Sequence, residues 1–266
     1  MGTRRVGLAR LEALIENLGR ALNMSGSTIC AELGGCQGEF GSPPLVIDDD
    51  STVAAGTDEA FMIHQYSDGL RLHVQNIGTQ NILIPAANTA GMDYAYDQTD
   101  DEGVQWVASM NTHKGYPGVD RFTVGTHGAF YAELEFSIGD VSGTDDCAFG
   151  FRKVEAAQAN LDDYDEMASL NVISGNITIE TILNGATTVS TDTTSDWADG
   201  ETHVLRIDVS SAGVVTYKID GSAPATTAAF TFDSGEVVTP FFYYINAAHL
   251  ADTIVFQKVK WGLLEK

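Results

Sequence analysis

Thr202–Gly221 reads THVLRIDVSSAGVVTYKIDG, and this stretch decides the fold class. Leu205, Ile207 and Val209 alternate with Arg206 and Asp208. Val215, Tyr217 and Ile219 alternate with Thr216, Lys218 and Asp220. A period of two with one apolar face predicts a pair of half-buried β-strands. Ser211-Ala212-Gly213 supplies the turn between them, and Asp220-Gly221 a second turn after them. The hairpin gives an architecture and no reaction.

The same rhythm extends outward. Upstream lie LVID (45–48), AFMIHQY (60–66), LRLHVQNI (70–77), NILIPAA (81–87), DYAYD (93–97), VQWVASM (104–110) and RFTVG (121–125). Ser67-Asp68-Gly69 marks a hairpin between the second and third of these. The longest run is AFYAELEFSI (129–138), where Phe130, Ala132, Leu134, Phe136 and Ile138 share one face. CAFGFRKV (147–154), an irregular stretch over 155–170, and NITIETIL (176–183) precede the hairpin. AAFTF (228–232), TPFFYYIN (239–246) and TIVFQKVKWGLL (253–264) follow it. Many short strands with close turn signals and no βαβ rhythm predict a mainly β protein, an antiparallel jelly-roll sandwich over residues 45–266.

The beginning of the chain differs. Leu8, Leu11, Ile15, Leu18 and Leu22 are spaced three, four, three and four apart over residues 1–23, the seam of an amphipathic helix. Arg4, Arg5, Arg10 and Arg20 flank that seam, so the segment is locally basic. MSGSTICAELGGCQGEFGSPP (24–44) then reads as a Gly/Pro-rich linker. A helix followed by a loose linker predicts an attachment or oligomerisation arm. The alternative is a helix packed on its own domain. Charges interrupt the apolar pattern, so the segment reads as neither signal peptide nor membrane span, and the chain is expected to be made and assembled in a cytoplasm.

The 266 residues carry a formal net charge of -23. Nucleic acid and anionic lipid are therefore not expected as partners, because both require clustered Lys and Arg. Three cysteines, Cys30, Cys36 and Cys147, make no disulfide framework or metal motif. Glu133 and Glu135 point the same way from one strand, as paired acids in glycoside hydrolysis do. They fit the exposed face of that strand better, and no enzyme is expected. Asp162, Asp163 and Asp165 form the densest acidic run, and Asp145 and Asp146 a second acidic loop with Asp140. Such oxygen ligands could hold Ca²⁺ if the loops converge; solvated loops are the plainer reading, and no cofactor is expected. Trp197 and Tyr116 are the loop aromatics most free to meet a ligand such as a surface glycan.

DWADGETHVLRIDVSSAGVVTYKIDG resembles the concanavalin A-like, or laminin G-like, jelly-roll superfamily, through Trp197, Gly200, His203, Arg206, Tyr217, Asp220 and Gly221. The resemblance covers about residues 80–265. A narrower one is to virion structural proteins of tailed marine phages. The stretches SIGDVSGTDDCAFGFRKVEAAQANLDDYDEMASLNVISG and RRVGLARLEALIENL look like segments of those proteins. That resemblance implies a non-enzymatic capsid decoration protein on the particle surface. Its arm would dock on the major capsid protein or another virion protein, and it would be a homo-oligomer. A tail-fibre or receptor- and glycan-binding module of the same fold is the alternative.

Overall fold

The computed structural model describes residues 101–110, 118–119, 121–246 and 250–264, preceded by strand segments at 36–39, 45–46, 52–53, 58–65, 68–77, 82–83, 87–88 and 91–98. The expected helix and linker (1–44) lie outside the described residues, apart from one short strand at 36–39.

The early strands are β1 (Cys36–Glu39), β2 (Leu45–Val46), β3 (Thr52–Val53), β4 (Asp58–Gln65), β5 (Asp68–Ile77), β6 (Ile82–Leu83) and β7 (Ala87–Asn88). Next come β8 (Gly91–Gln98), β9 (Gly103–Met110), β10 (Gly118–Val119), β11 (Phe122–Thr123), β12 (Phe130–Ile138) and β13 (Thr144–Lys153). The remainder are β14 (Met167–Ile173), β15 (Asn176–Ile182), β16 (Val189–Asp196), β17 (Thr202–Val209), β18 (Val215–Ile219), β19 (Val237–Asn246) and β20 (Leu250–Leu263).

Two antiparallel sheets form. Sheet A runs β18-β17-β12-β20-β8-β6-β3 and sheet B runs β16-β15-β14-β13-β19-β9-β5-β4-β2, with short strands added at the side. The chain passes between them repeatedly, from β12 in A to β13–β16 in B, back to β17–β18, then to β19 and β20. That weaving is the jelly-roll form of a sandwich.

The core lies where the apolar faces meet. Sheet A contributes Phe130, Leu134, Phe136, Leu205, Ile207 and Tyr217; sheet B contributes Trp106, Phe149, Leu170, Ile179 and Phe242. The strand β20 keeps its apolar face inward only by means of a bulge. Ile254 and Phe256 are buried, then Val259 and Trp261, and the register against β12 shifts between Glu135 and Phe136. One extra residue flips the alternation, so both halves of a 14-residue strand face the core.

The hairpin of β17 and β18 forms in the predicted register, Leu205 opposite Ile219 and Val209 opposite Val215. Asp220 and Gly221 both have positive φ, 51° and 79°, as a two-residue turn of this hand requires. Ile219 and Ser222 exchange backbone hydrogen bonds across it.

Three strand expectations need correction. The stretch 155–170 is not irregular throughout, since β14 begins at Met167. AAFTF (228–232) is no strand; it touches the edge of sheet A through a single bridge, Val214 to Thr231. The hairpin of β4 and β5 closes at Gln65 opposite Asp68, so Asp68 and Gly69 belong to the strand.

Candidate functional site

The outer face of sheet B is the chemically distinctive surface. Its middle carries a second apolar cluster, including Val107, Ala148, Met167, Phe241, Tyr243 and Ile245. Residues 154–166 cross this face as a strap and seat Leu161 and Tyr164 in the cluster. The seat is also hydrogen-bonded. The Tyr164 hydroxyl donates to Gln105 Oε1, and the Tyr243 hydroxyl to the carbonyl of Ala159. Gln105 Nε2 donates to the carbonyl of Gln158 at 2.8 Å. The guanidinium of Arg152 lies 4.6 Å from the centre of the Tyr164 ring. Burial lowers the pKa of this arginine and raises that of the Tyr164 hydroxyl.

Beside the strap, three neighbouring strands bring three polar side chains together on this face: Asp146 from β13, Asn171 from β14 and Glu180 from β15. Asn171 is fully buried. Its Oδ1 accepts from the backbone N–H of Cys147 at 2.8 Å. Its Nδ2 donates to Asp146 Oδ1 at 2.6 Å and to Glu180 Oε2 at 2.9 Å. Those two carboxylate oxygens are therefore no farther apart than the two bonds laid end to end.

Burial pushes Asp146 up to about 7, and the charges of Glu180, Asp145 and Asp162 add to the shift against the bond from Asn171. Burial also raises Glu180, again opposed by Asn171 and reinforced by Asp162 and Asp145. The strap supplies Asp162, whose carboxylate accepts from the Thr188 hydroxyl and so ties the strap to the loop between β15 and β16. Asp145, Asp162 and Ser190 are exposed around the triad, in which Asn171 and Glu180 are buried and Asp146 is half-buried.

The two acidic loops thus converge in part. Asp145, Asp146 and Asp162 come together, and Asp163 is near enough to help raise the Tyr243 hydroxyl. Asp165 does not join them; it pairs with Lys153 at 2.6 Å. Asp140 accepts from the backbone N–H and hydroxyl of Ser142 and organises its own turn. Among the described residues no three His, Cys, Asp or Glu side chains are grouped to hold a metal ion.

Trp197 is not the free loop aromatic expected. It is 2% exposed, packs on Phe136, and donates its indole N–H to the Glu201 carbonyl at 3.0 Å. A large apolar ring preceding a strand end was worth more to the core than to a ligand. Tyr116 and the arm residues Arg4, Arg5, Leu8, Arg10, Leu11, Ile15, Leu18 and Leu22 lie outside the described residues.

Glu133 belongs to the outer face of sheet A, where it accepts from Lys260 at 2.9 Å and Arg206 at 3.1 Å. Burial opposes its ionisation, yet these two cations hold its pKa below the ordinary glutamate value. Arg206 also bonds Asp208 and covers the Tyr131 ring. This is a lattice of surface ion pairs.

The sequence reading missed Asn171 and Glu180. Their signal was present: a Glu among Ile177, Ile179 and Ile182, and an Asn between Leu170 and Val172. A buried polar residue in an apolar run is rarely placed without a partner.

No protein-family profile matches the chain, and no curated protein matches it. Solved structures do match. The receptor-binding domain of botulinum neurotoxin D is 10% identical, with a TM-score of 0.44, covering 81% of this chain and 50% of that one. This chain therefore spans half the length of the neurotoxin domain. The lectin UEA-II complexed with galactose is 11% identical, TM-score 0.47, covering 88% and 100% of the two chains. A putative β-glucanase from Mycobacterium abscessus is 10% identical, TM-score 0.49, covering 85% and 98%.

Proposed function

We propose that this chain is a non-catalytic recognition module that takes a hydroxyl-rich ligand, a surface glycan, at Asp146, Asn171 and Glu180. The supporting observation is the Asn171 amide. It is fixed from behind by the Cys147 N–H and holds one carboxylate on each side of its own nitrogen. Sugar hydroxyls donate well to carboxylates held in this way, and such charge-assisted bonds are strong. A few convergent polar groups with perturbed acidity are the usual mark of a binding site. The same amide argues against hydrolysis. A glycosidase needs the scissile bond between its two acids, and here Asn171 fills that space.

A glycan array probed with the full chain at pH 7 tests the reading. Each hydroxyl–carboxylate bond is worth about 1.5–3 kcal/mol. Asp146→Asn and Glu180→Gln should therefore each weaken the array signal at least tenfold. Signals unchanged by both substitutions would refute the assignment.

The setting proposed for the module is a particle surface, with residues 1–23 as the docking arm on a capsid or other virion protein. This rests on the phage resemblance of RRVGLARLEALIENL and on the contrast between that basic segment and a chain of net charge -23. Deleting residues 1–23 should leave a folded domain that no longer joins the particle. Normal incorporation of the deletion would end this part of the proposal.

A further inference from the structure

The strap over sheet B is held at its far end by a crowded acidic junction. The Lys153 N–H donates to the Glu166 carbonyl, and Lys153 Nζ lies 2.6 Å from Asp165 and 3.4 Å from Glu236. The Asp233 N–H donates to Glu166 Oε1 at 3.0 Å. Asn184 Nδ2 donates to Asp233 Oδ2, and the Gly185 N–H to the Asp165 carbonyl. Glu155 reaches in to accept from the Asp165 N–H at 2.9 Å. Strap, hairpin tip and the loop before β19 thus meet around five carboxylates and one ammonium. The nearest other cation on this strand, Arg152, is directed to the carbonyls of Lys153 and Glu155 and to the Tyr164 ring.

Glu166 is fully buried in this junction. Its Oε2 meets no N–H or hydroxyl donor among the described residues, and the Glu166 carboxyl faces that of Glu236. Two carboxylates this close cannot both ionise without strong repulsion. A single proton resolves the clash, because a protonated Glu166 becomes a donor to Glu236.

We infer that a proton held on Glu166, facing the Glu236 carboxylate, latches the 154–166 strap onto sheet B. With the proton in place, the junction closes and the apolar cluster under Leu161 and Tyr164 stays covered. When it leaves, Glu166 and Glu236 repel within a dry junction and the strap loosens. Burial first, then the charges of Glu236 and Asp233, push Glu166 up to about 7, so the latch works near neutrality. Because Asp162 belongs to the same strap, release also removes one wall of the Asp146–Asn171–Glu180 cluster. That consequence rests on the recognition reading, while the latch itself does not.

Hydrogen exchange tests the latch without any ligand. Amide protection of residues 155–166, corrected for intrinsic exchange, should fall about tenfold between pH 6 and 8.5, while β17 stays protected. Glu166→Gln, which keeps a donor at that position, should remove the fall. Glu236→Gln, which leaves Glu166 in place, serves the same purpose if the first variant does not fold. Protection that is independent of pH in the native chain, or a fall that persists in whichever variant folds, would overturn the proposal. Recovery of protection at pH 8.5 on adding millimolar Ca²⁺ would also overturn it, since the pair would then be an ion site. The array result leaves these outcomes untouched, so the latch and the recognition site fail separately.

Discussion

Replacing Asp146 by Asn should stabilise the protein at alkaline pH while abolishing recognition. The folded chain raises this carboxyl from 3.8 to about 7, chiefly by burial. Between those two values the unfolded chain releases a proton that the folded chain retains. Stability from this residue is therefore full below about pH 4, falls as pH rises towards 7, and stays low above it. A shift of this size corresponds to about 4 kcal/mol at the alkaline end. Asparagine never ionises, and its carbonyl oxygen can still accept from Asn171 Nδ2. Urea unfolding of both proteins at pH 4, 7 and 9 measures the difference. The variant should match the native chain within about 1 kcal/mol at pH 4 and exceed it by about 2–4 kcal/mol at pH 9. In thermal melts the alkaline gap should be about 5–15 °C. Equal destabilisation by Asn at all three pH values would refute the reasoning, because Asp146 would then titrate alike in the folded and unfolded chains.

Further outcomes follow from other parts of the fold. Burial opposes protonation of His203, but Asp220 at 2.7 Å and Glu201 at 3.2 Å raise its pKa above 6.5. Its contribution is full below pH 6.5 and is lost as pH rises through the folded value, so His203→Gln should lose stability in urea at pH 5.5 and little at pH 9. Gly213 has φ +85°, and a Cβ there would sit 2.4 Å from the Phe232 carbonyl oxygen. Gly213→Ala should cost about 2 kcal/mol or more in urea titration, through strain and displacement of the 230–232 segment. Trp197→Ala should cost about 3–5 kcal/mol as a core truncation. Where it still folds, it should leave the array profile unchanged.

Much of this fold could be read from alternation, and the failures have physical causes. The strands β12, β17 and β18 each bury one face, so their periodicity was visible. The strand β14 (MASLNVI) is covered by sheet A on one side and by the strap on the other, and burial on both faces erases the alternation. The strand β16 (VSTDTTSD) is a polar edge strand, and only Thr193 turns a buried side chain inward. AAFTF carried apolar residues for a different purpose, since Phe230 and Phe232 cover the hairpin from the side rather than extending a sheet. The candidate site was half legible. Acidic loops around Asp145 and Asp162 stood out by composition. The residue that joins the site, Asn171, is distant in sequence from Asp146, and only the pairing of β13 with β14 brings them together. Trp197 was misplaced because a tryptophan near a turn looks exposed in sequence, whereas here it closes the core beneath His203.

The most direct test of the central claim is a crystal structure of the full chain with the glycan that binds best on the array. The account predicts a sugar on the outer face of sheet B, with hydroxyls within 3.2 Å of Asp146 and Glu180 carboxylate oxygens. A sugar bound elsewhere, for instance on the ion-pair lattice of sheet A around Glu133, with the Asp146–Asn171–Glu180 triad untouched, would contradict it.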